Sequence, residues 1–517
     1  MNKVRRAGLA AASFVALIGA WHLLLRSHGA GIPMITDEGE YAVAAKAWSQ
    51  GGLPYRDAFS QKPPLVFLLY RIPLSFESSS PVAVRRFGTL LSSFTLIALF
   101  FVVPQFWSLE SRLAAAASFA SLGALAIGDY GFTTNTELFV NLFAVFSVFS
   151  VLRGSPFVAG LFAGAMLCSK QTSLWSLLAF GAAVVALSPS PARTRRGALF
   201  AAGAAAVPAA FALYFAGHGA LGDYWRSAWA GNARYAAVVL MTGSFGAQVS
   251  WFSTKLLPQF LLAGVPALFL AFVALRRLDA GRARPVETLA VLWLGGAVAG
   301  ALTGLFLFPH YFLVLAPPLS LLAACGVERM GTGRRAAVVA LALWPALLSP
   351  MVYFADDARL RASKLLFPNP LFECKVMGET IARRARAGDR LHVFGSEGSL
   401  FVYSGLSPAT PHTLSYALTL FPESRAPIDE EMARLTAAPP RFLVWSTQSL
   451  STMISSQLGE RYRSSLKAFV ASNYRLSGRV TVADSAFAPT FESAPATVRP
   501  DFETDGQLLL FELMKPL

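Results

Sequence analysis

Between Thr36 and Pro64 the chain reads TDEGEYAVAAKAWSQGGLPYRDAFSQKPP, placing the adjacent carboxylates Asp37 and Glu38 some two dozen residues before a lysine, Lys62, and a Pro-Pro pair. A carboxylate within hydrogen-bond reach of a hydroxyl can take its proton as the oxygen attacks. Proline is tolerated in a first helical turn, so a helix beginning at Pro63 or Pro64 sets Lys62 at its N-terminus. Free backbone N–H groups and the helix dipole already favour an anion there. A base beside an anion site suits group transfer from a phosphate to a hydroxyl, because positive groups aimed at the departing phosphate favour the transition state. Lys62 leads that role, with Arg85, Arg86, Lys170 and His310 as further donors.

The elements that must position these residues follow from composition. Of 517 residues, 55% are hydrophobic and 14% charged, and the mean hydropathy is +0.51, which puts the chain in the membrane class. Lys3, Arg5 and Arg6 precede an apolar run from Ala7 to Leu25, read as a first anchor and not a signal peptide, since many more runs follow. The formal charge of +15 does not indicate nucleic acid, because the arginines cluster in short gaps: Arg193, Arg195 and Arg196; Arg276, Arg277, Arg282 and Arg284; Arg329, Arg334 and Arg335. This is the positive-inside pattern of membrane topology. With the N-terminus inside, spans fall near 7–25, 86–104, 112–128, 137–152, 156–168, 172–188, 197–216, 256–275, 286–308, 311–326 and 336–354, about eleven crossings. Parity requires two short helices turning at Ser169-Lys170-Gln171, which keeps Arg153 and the Arg193 cluster on one side and leaves Lys170 near the outer surface.

The expectation is a polytopic α-helical membrane domain over 1–354, with outer loops at 26–85, 128–137 and 217–255, followed by a small extracytoplasmic α/β domain over 355–517. Phe372–Ala387 and Ile428–Thr436 read as helices, RLHVFG (Arg390–Gly395) and RFLVWS (Arg441–Ser446) as buried strands, and QLLLFELM as a last strand. The Ala/Pro-rich piece Phe487–Pro500 reads as loop. Cys168, Cys325 and Cys374 are scattered and imply neither a disulfide framework nor a zinc site. There is no P-loop, dinucleotide fingerprint, HExxH or nucleophile elbow. Nor is there an internal repeat such as many transporters show.

In the outer loops, Asp37 or Thr36 can cap a helix with Glu40 as capping-box partner. Tyr41, Ala44, Ala45 and Trp48 then form an apolar face suited to the membrane interface. GDYGFTTNTEL brings Asp129, Asn135 and Glu137 to a span's mouth, where the cost of a carboxylate, about 2.5–3.5 kcal/mol inside the bilayer, falls. Gln171 follows Lys170, and FPHYF holds His310 and Tyr311. Trp225 and Trp229, with Tyr235, could stack on a sugar or anchor at the interface. The structural readings stand beside these: Asp37 as a helix cap, Glu38 as a solvated partner, Lys62, Arg85 and Arg86 as head-group anchors, His310 as a hydrogen-bonder.

The order of motifs, an Asp-Glu pair after the first span, a Tyr, GGLPYRDAF, QKPPL, RRFGTLL, TNTEL, LCSKQTSLW and HYFLVLAPPLSLLA, resembles bacterial members of glycosyltransferase family 39. That family comprises the dolichyl-phosphate-mannose protein mannosyltransferases and the lipid A aminoarabinose transferases. The resemblance implies the C-type glycosyltransferase fold and transfer of a sugar from a polyprenyl phosphate to an extracytoplasmic acceptor. It further implies Asp37 as the first-loop acid, with Glu38 completing the pair and Lys62 near the lipid phosphate; the chemistry of proton removal makes Asp37 the general base. Glu137 stands where a second-loop acid is expected, here in Asn-Thr-Glu where many relatives have Asp. Tyr41, Tyr55, Asn135, Gln171, Trp225, Trp229 and Tyr311 complete the candidate substrate-binding set.

The expected enzyme performs a single inverting displacement in a bacterial plasma membrane, with the N-terminus cytoplasmic and the active site outside. Its partners are the polyprenyl-phosphate sugar, membrane lipids and a lipid, glycan or protein acceptor that the sequence does not name. A divalent metal could bridge Asp37, Glu137 and the phosphate, but these acids form no recognisable metal motif, so no cofactor is assigned. The competing reading is a multispan transporter or flippase, favoured by small-residue helices such as AAGAAAVPAAFA and opposed by the placement of polar features in outer loops. A membrane-tethered binder working through its C-terminal domain is the third.

Overall fold

The computed structural model describes residues 2–27, 29–125, 131, 133–276, 284–348, 370–420, 424–482, 488–495 and 497–514. Asp129, Arg277, Arg282 and the expected domain boundary near Ala355 lie outside them. Packing divides the chain into two units, one of Met1–Ala30, Arg85–Tyr214 and Phe245–Ala358, the other of Gly31–Val84, Phe215–Ser244 and Arg359–Leu517.

The first unit is helical. Five of the chain's described helices are long and apolar enough to cross a membrane: Pro81–Val102, Ser190–Gly217, Phe245–Arg276, Pro285–Thr303 and Pro309–Glu328. They make the chain a multi-pass membrane protein. Against the eleven expected spans, the others are shorter helices among the described residues, including Ser13–Ser27, Thr136–Leu152, Pro156–Leu167 and Gln171–Ala186. The expected break is present: the helix Pro156–Leu167 stops, a tight turn runs Gln171–Ser173, and a second helix occupies Leu174–Ala186. The alanine-rich helix Leu109–Leu122 buries Ala114 to Ala117 and packs against Ala316–Glu328, its small side chains letting the backbones come close. Its first turn is fixed by Glu328, whose carboxylate accepts from the Ser108 N–H at 3.0 Å and from the Ser111 hydroxyl at 2.8 Å.

The second unit holds a six-stranded sheet of β1 (Arg390–Phe394), β2 (Ser407–Pro408), β3 (Phe442–Ser446), β4 (Tyr474–Thr481), β5 (Glu492–Ser493) and β6 (Gln507–Leu513) in the order β2-β1-β3-β6-β4-β5. β1 lies parallel to β2 and β3, and β6 pairs antiparallel with β3 and β4. The three expected strands are β1, β3 and β6, buried over most of their length, which is why they read as continuous apolar runs. The expected helices are Leu371–Arg384 and Ala426–Ala437. β4 and the preceding helix Gln457–Asn473 were not anticipated, and the expected loop Phe487–Pro500 contains the short edge strand β5.

The segment expected as the first outer loop belongs to this second unit. Its helix Thr36–Ser49 packs on Ser399–Ser404, the helix that follows β1, through two glycines. A Cβ built on Gly39 would overlap the Ser399 amide nitrogen, and one on Gly398 would stand 3.0 Å from that of Glu40. The Met34 N–H also donates to the Tyr403 hydroxyl at 2.8 Å. The apolar face expected at the membrane interface is buried in protein instead. Tyr41, Ala44, Ala45 and Trp48 are covered, Tyr41 meeting Tyr70 edge-on at 5.3 Å and Trp48 lying 6.2 Å from Phe215. Packing against the next helix, Pro64–Phe76, removes that face from lipid. Since the methyl of Gly39→Ala would overlap backbone atoms that cannot rotate away, it should destabilise the second unit by about 1–3 kcal/mol. A lowered apparent Tm and earlier proteolytic release of the sheet region check this.

Candidate active site

Asp37 sits in the first turn of Thr36–Ser49, and Lys62 two residues before Pro64 begins the next helix. The Asp37 Oδ2 and the Lys62 Nζ are 3.8 Å apart, with side chains 23% and 19% exposed. The carboxylate and the ammonium are thus held together yet reachable. The helix is not capped by Asp37, Thr36 or Glu40 as expected. Ile35 is the N-cap residue, and its N–H donates to Glu38 Oε2 at 3.1 Å, so Glu38, fully buried, closes the helix start. A longer side chain three residues after the cap can fold back onto that N–H.

Lys62 is fixed from several sides. Its ammonium lies 5.6 Å from the centroid of the Tyr41 ring, and its carbonyl accepts from the Tyr55 hydroxyl at 2.8 Å. Its N–H donates to Ser60 Oγ at 3.1 Å. Tyr55 holds a left-handed φ of 74°, unusual for a residue with a side chain. Its ring packs against Phe215 at 5.3 Å, Tyr224 at 5.5 Å and Phe67 at 5.9 Å, contacts that offset the strain. The loop that aims Lys62 is therefore set by an aromatic cluster.

One residue that sequence reasoning missed is Glu40. It is buried, accepts a hydrogen bond from the Ser60 hydroxyl and another from the Tyr416 hydroxyl at 3.4 Å. Burial pushes its pKa up to about 7, with Asp37 adding to the rise and Lys62 and Ser60 opposing it. The available signal was a third acid within four residues of Asp37, one helical turn on.

In the first unit, Glu137 lies in the first turn of Thr136–Leu152, fully buried, and forms an ion pair with Lys170. The Lys170 ammonium is also 3.9 Å from the centroid of the Tyr311 ring. This accounts for a lysine where the charge rule asks for none: it neutralises a buried carboxylate. His310 is buried, stacked on Phe308 at 5.8 Å and edge-on to Tyr311 at 4.7 Å, while Gln171 opens the adjoining turn. Asn135 is buried at the N-cap of the same helix as Glu137, lining a cavity of about 20 Å³ with Arg26, Thr133 and Asn141. Arg26, also missed, donates to the Gly131 carbonyl at 2.5 Å and to Thr89 Oγ1 at 3.3 Å. Arg85 is buried on the Gly29 carbonyl, whereas Arg86 is exposed.

The structure therefore gathers Asp37, Lys62, Tyr41 and Tyr55 with Glu40 in one unit, and Glu137, Lys170, Gln171, His310 and Tyr311 in the other. Trp225 and Trp229 stack on each other at 6.4 Å in the second unit, with Trp225 mostly exposed. No group of three His, Cys, Asp or Glu side chains placed to hold a metal occurs among the described residues. The cysteines are free and buried.

The architecture, multi-pass helices with an α/β sheet in a chain carrying a paired acid and lysine soon after its first helix, is that of a solved structure. The chain is similar over 96% of its length, and over 98% of the other's, to the crystal structure of ArnT from Cupriavidus metallidurans bound to undecaprenyl phosphate, with a TM-score of 0.56 and 12% identity. The apo structure of the same protein matches at a TM-score of 0.54 and 13% identity, covering 97% and 98% of the two chains. The shared feature is the fold. No protein-family model and no curated protein sequence matches the chain.

Two outcomes follow from this geometry. Glu40 keeps a proton in the fold that the unfolded chain releases near the ordinary glutamate value of 4.5, so its penalty grows as pH rises from there to about 7 and is constant above. Glu40→Gln should remove that fall, a difference of about 3 kcal/mol between the two variants' pH profiles of unfolding. Lys170→Met strands the Glu137 carboxylate and should destabilise the chain by about 3–5 kcal/mol, whereas adding Glu137→Gln should restore much of the loss. Apparent Tm values of the single and double variants check this.

Proposed function

We propose that the chain is an integral membrane glycosyltransferase that moves a sugar from a polyprenyl-phosphate donor to an extracytoplasmic acceptor hydroxyl in a bacterial inner membrane. The observation that supports it best is the Asp37–Lys62 pair, reachable and 3.8 Å apart, in a chain with the fold of a protein crystallised with undecaprenyl phosphate. In the resting site each charge satisfies the other. A donor phosphate drawn to Lys62 competes for the ammonium and leaves the Asp37 carboxylate to accept the acceptor's proton. The oxygen then attacks the anomeric carbon, the bond from that carbon to the phosphate oxygen breaks, and the electron pair leaves with the phosphate. A single in-line displacement inverts the anomeric centre.

Glu40 supports this division of labour. Neutral below about pH 7, it leaves the pair with no net charge; ionised, it would add a negative charge beside the phosphate. The fold leaves the sugar and the acceptor open.

The test is transfer of radiolabelled sugar from a panel of polyprenyl-phosphate sugars by the purified chain. Asp37→Asn should cut turnover by about 10²–10⁴-fold with donor binding retained. Lys62→Ala should weaken donor binding, by roughly tenfold for a charge-assisted contact of about 1.5 kcal/mol. Retained anomeric configuration would overturn the single displacement. Absence of transfer and of donor hydrolysis in folded protein would favour transport.

A further inference from the structure

The helix Thr36–Ser49 has a second working face. At about 100° per residue, Val43, Lys46, Ala47 and Gln50 point away from Asp37, Tyr41 and Trp48. That face forms one wall of a cleft of about 300 Å³ whose other wall is the sheet end at Ser407–Pro411 with Arg390 and Arg434. The volume is at the lower bound for a small-molecule site.

Its chemistry is one-sided. Lys46, Arg390 and Arg434 face the cleft, and none of the three is paired with a carboxylate among the described residues. The acid on the lining, Asp57, is already engaged, accepting the Leu53 N–H at 2.7 Å and pairing with Arg56 at 3.6 Å. The Lys46 ammonium donates to the Gly405 carbonyl at 3.0 Å, leaving two further N–H groups. Burial holds it below the usual lysine range, the condition of a cation short of water and of a counter-charge. Arg390 is oriented by the Pro408 carbonyl, at 3.2 and 2.9 Å from its Nε and Nη2, and by the Ala409 carbonyl at 2.5 Å. Apolar lining from Phe401 and Leu406 completes the site.

We propose that this cleft is a second anion site, which binds a phosphate group carried on an apolar body. Guanidinium forks and an ammonium suit a tetrahedral oxyanion, and the apolar lining suits what the phosphate is attached to. The site lies on the face of the helix opposite Asp37 and Lys62, so it stands whether or not those residues transfer a sugar.

The test uses the full chain purified in detergent or nanodiscs and compares it with Lys46→Gln, Arg434→Gln and the double variant. In one arm, inorganic phosphate is titrated and binding followed by calorimetry. In the other, the chain is placed in nanodiscs of phosphatidylcholine with or without phosphatidic acid, and binding of the labelled lipid is measured. Saturable binding in the first arm assigns a soluble phosphate compound, and binding confined to phosphatidic acid assigns a lipid headgroup. Either supports the site if each single substitution weakens binding at least tenfold, the double variant more, at unchanged apparent Tm. Lys62→Ala should leave it intact. Native protein that binds in neither arm, or variants that bind as the native chain does, would overturn the proposal. So would loss of binding in Lys62→Ala with Lys46→Gln unaffected, since the anion would then occupy the first site.

Discussion

The second unit depends on one contact between backbones. Gly39 and Gly398 let the helix Thr36–Ser49 lie against Ser399–Ser404 at a distance no side chain would allow. From it follow the burial of Glu38 and Glu40, the pairing of Asp37 with Lys62 across two helix starts, and the cleft on the opposite face. Hydrophobic burial alone would leave the helix free to slide or roll. Close packing of backbone on backbone fixes its rotation, and one wrong atom is felt. A helix so held can present different chemistry on its two sides.

Charge is handled differently in the two units. In the first, where helices are apolar, the buried carboxylate Glu137 has Lys170 and the buried Arg26 has a backbone carbonyl. An ion taken from water is tolerated only with such compensation. In the second, Asp37 and Lys62 keep about a fifth of their surface exposed, and three cations at the cleft lack carboxylate partners among the described residues.

Much of this was legible in the sequence where the determinants are local. The strands β1, β3 and β6 are continuous apolar runs, and the helix break at Lys170 followed from the placement of arginines. Asp37 and Lys62 stood out through neighbours that needed a reason. β4 was missed because its alternation of Tyr474, Leu476 and Val480 is interrupted at Gly478, beside a bulge. Glu40 read as a capping partner because what makes it unusual is distant: Ser60 is 20 positions away and Tyr416 is 376. The face from Tyr41 to Trp48 showed that it was apolar without showing what would cover it. Periodicity reports that a surface must be buried, and only the fold says against what.

The Met34 to Tyr403 hydrogen bond joins positions 369 apart, with most of the membrane helices between them. At a synthesis rate of 5–20 residues per second, the segment around Asp37 waits roughly 20 to 70 s on the ribosome before the surface that fixes it exists. Long-range closure of this kind is slow and comes late in folding. A nascent chain therefore inserts its helices first and acquires the ordered Asp37–Lys62 geometry last. Incomplete translation products therefore lack the surface that orders the segment around Asp37.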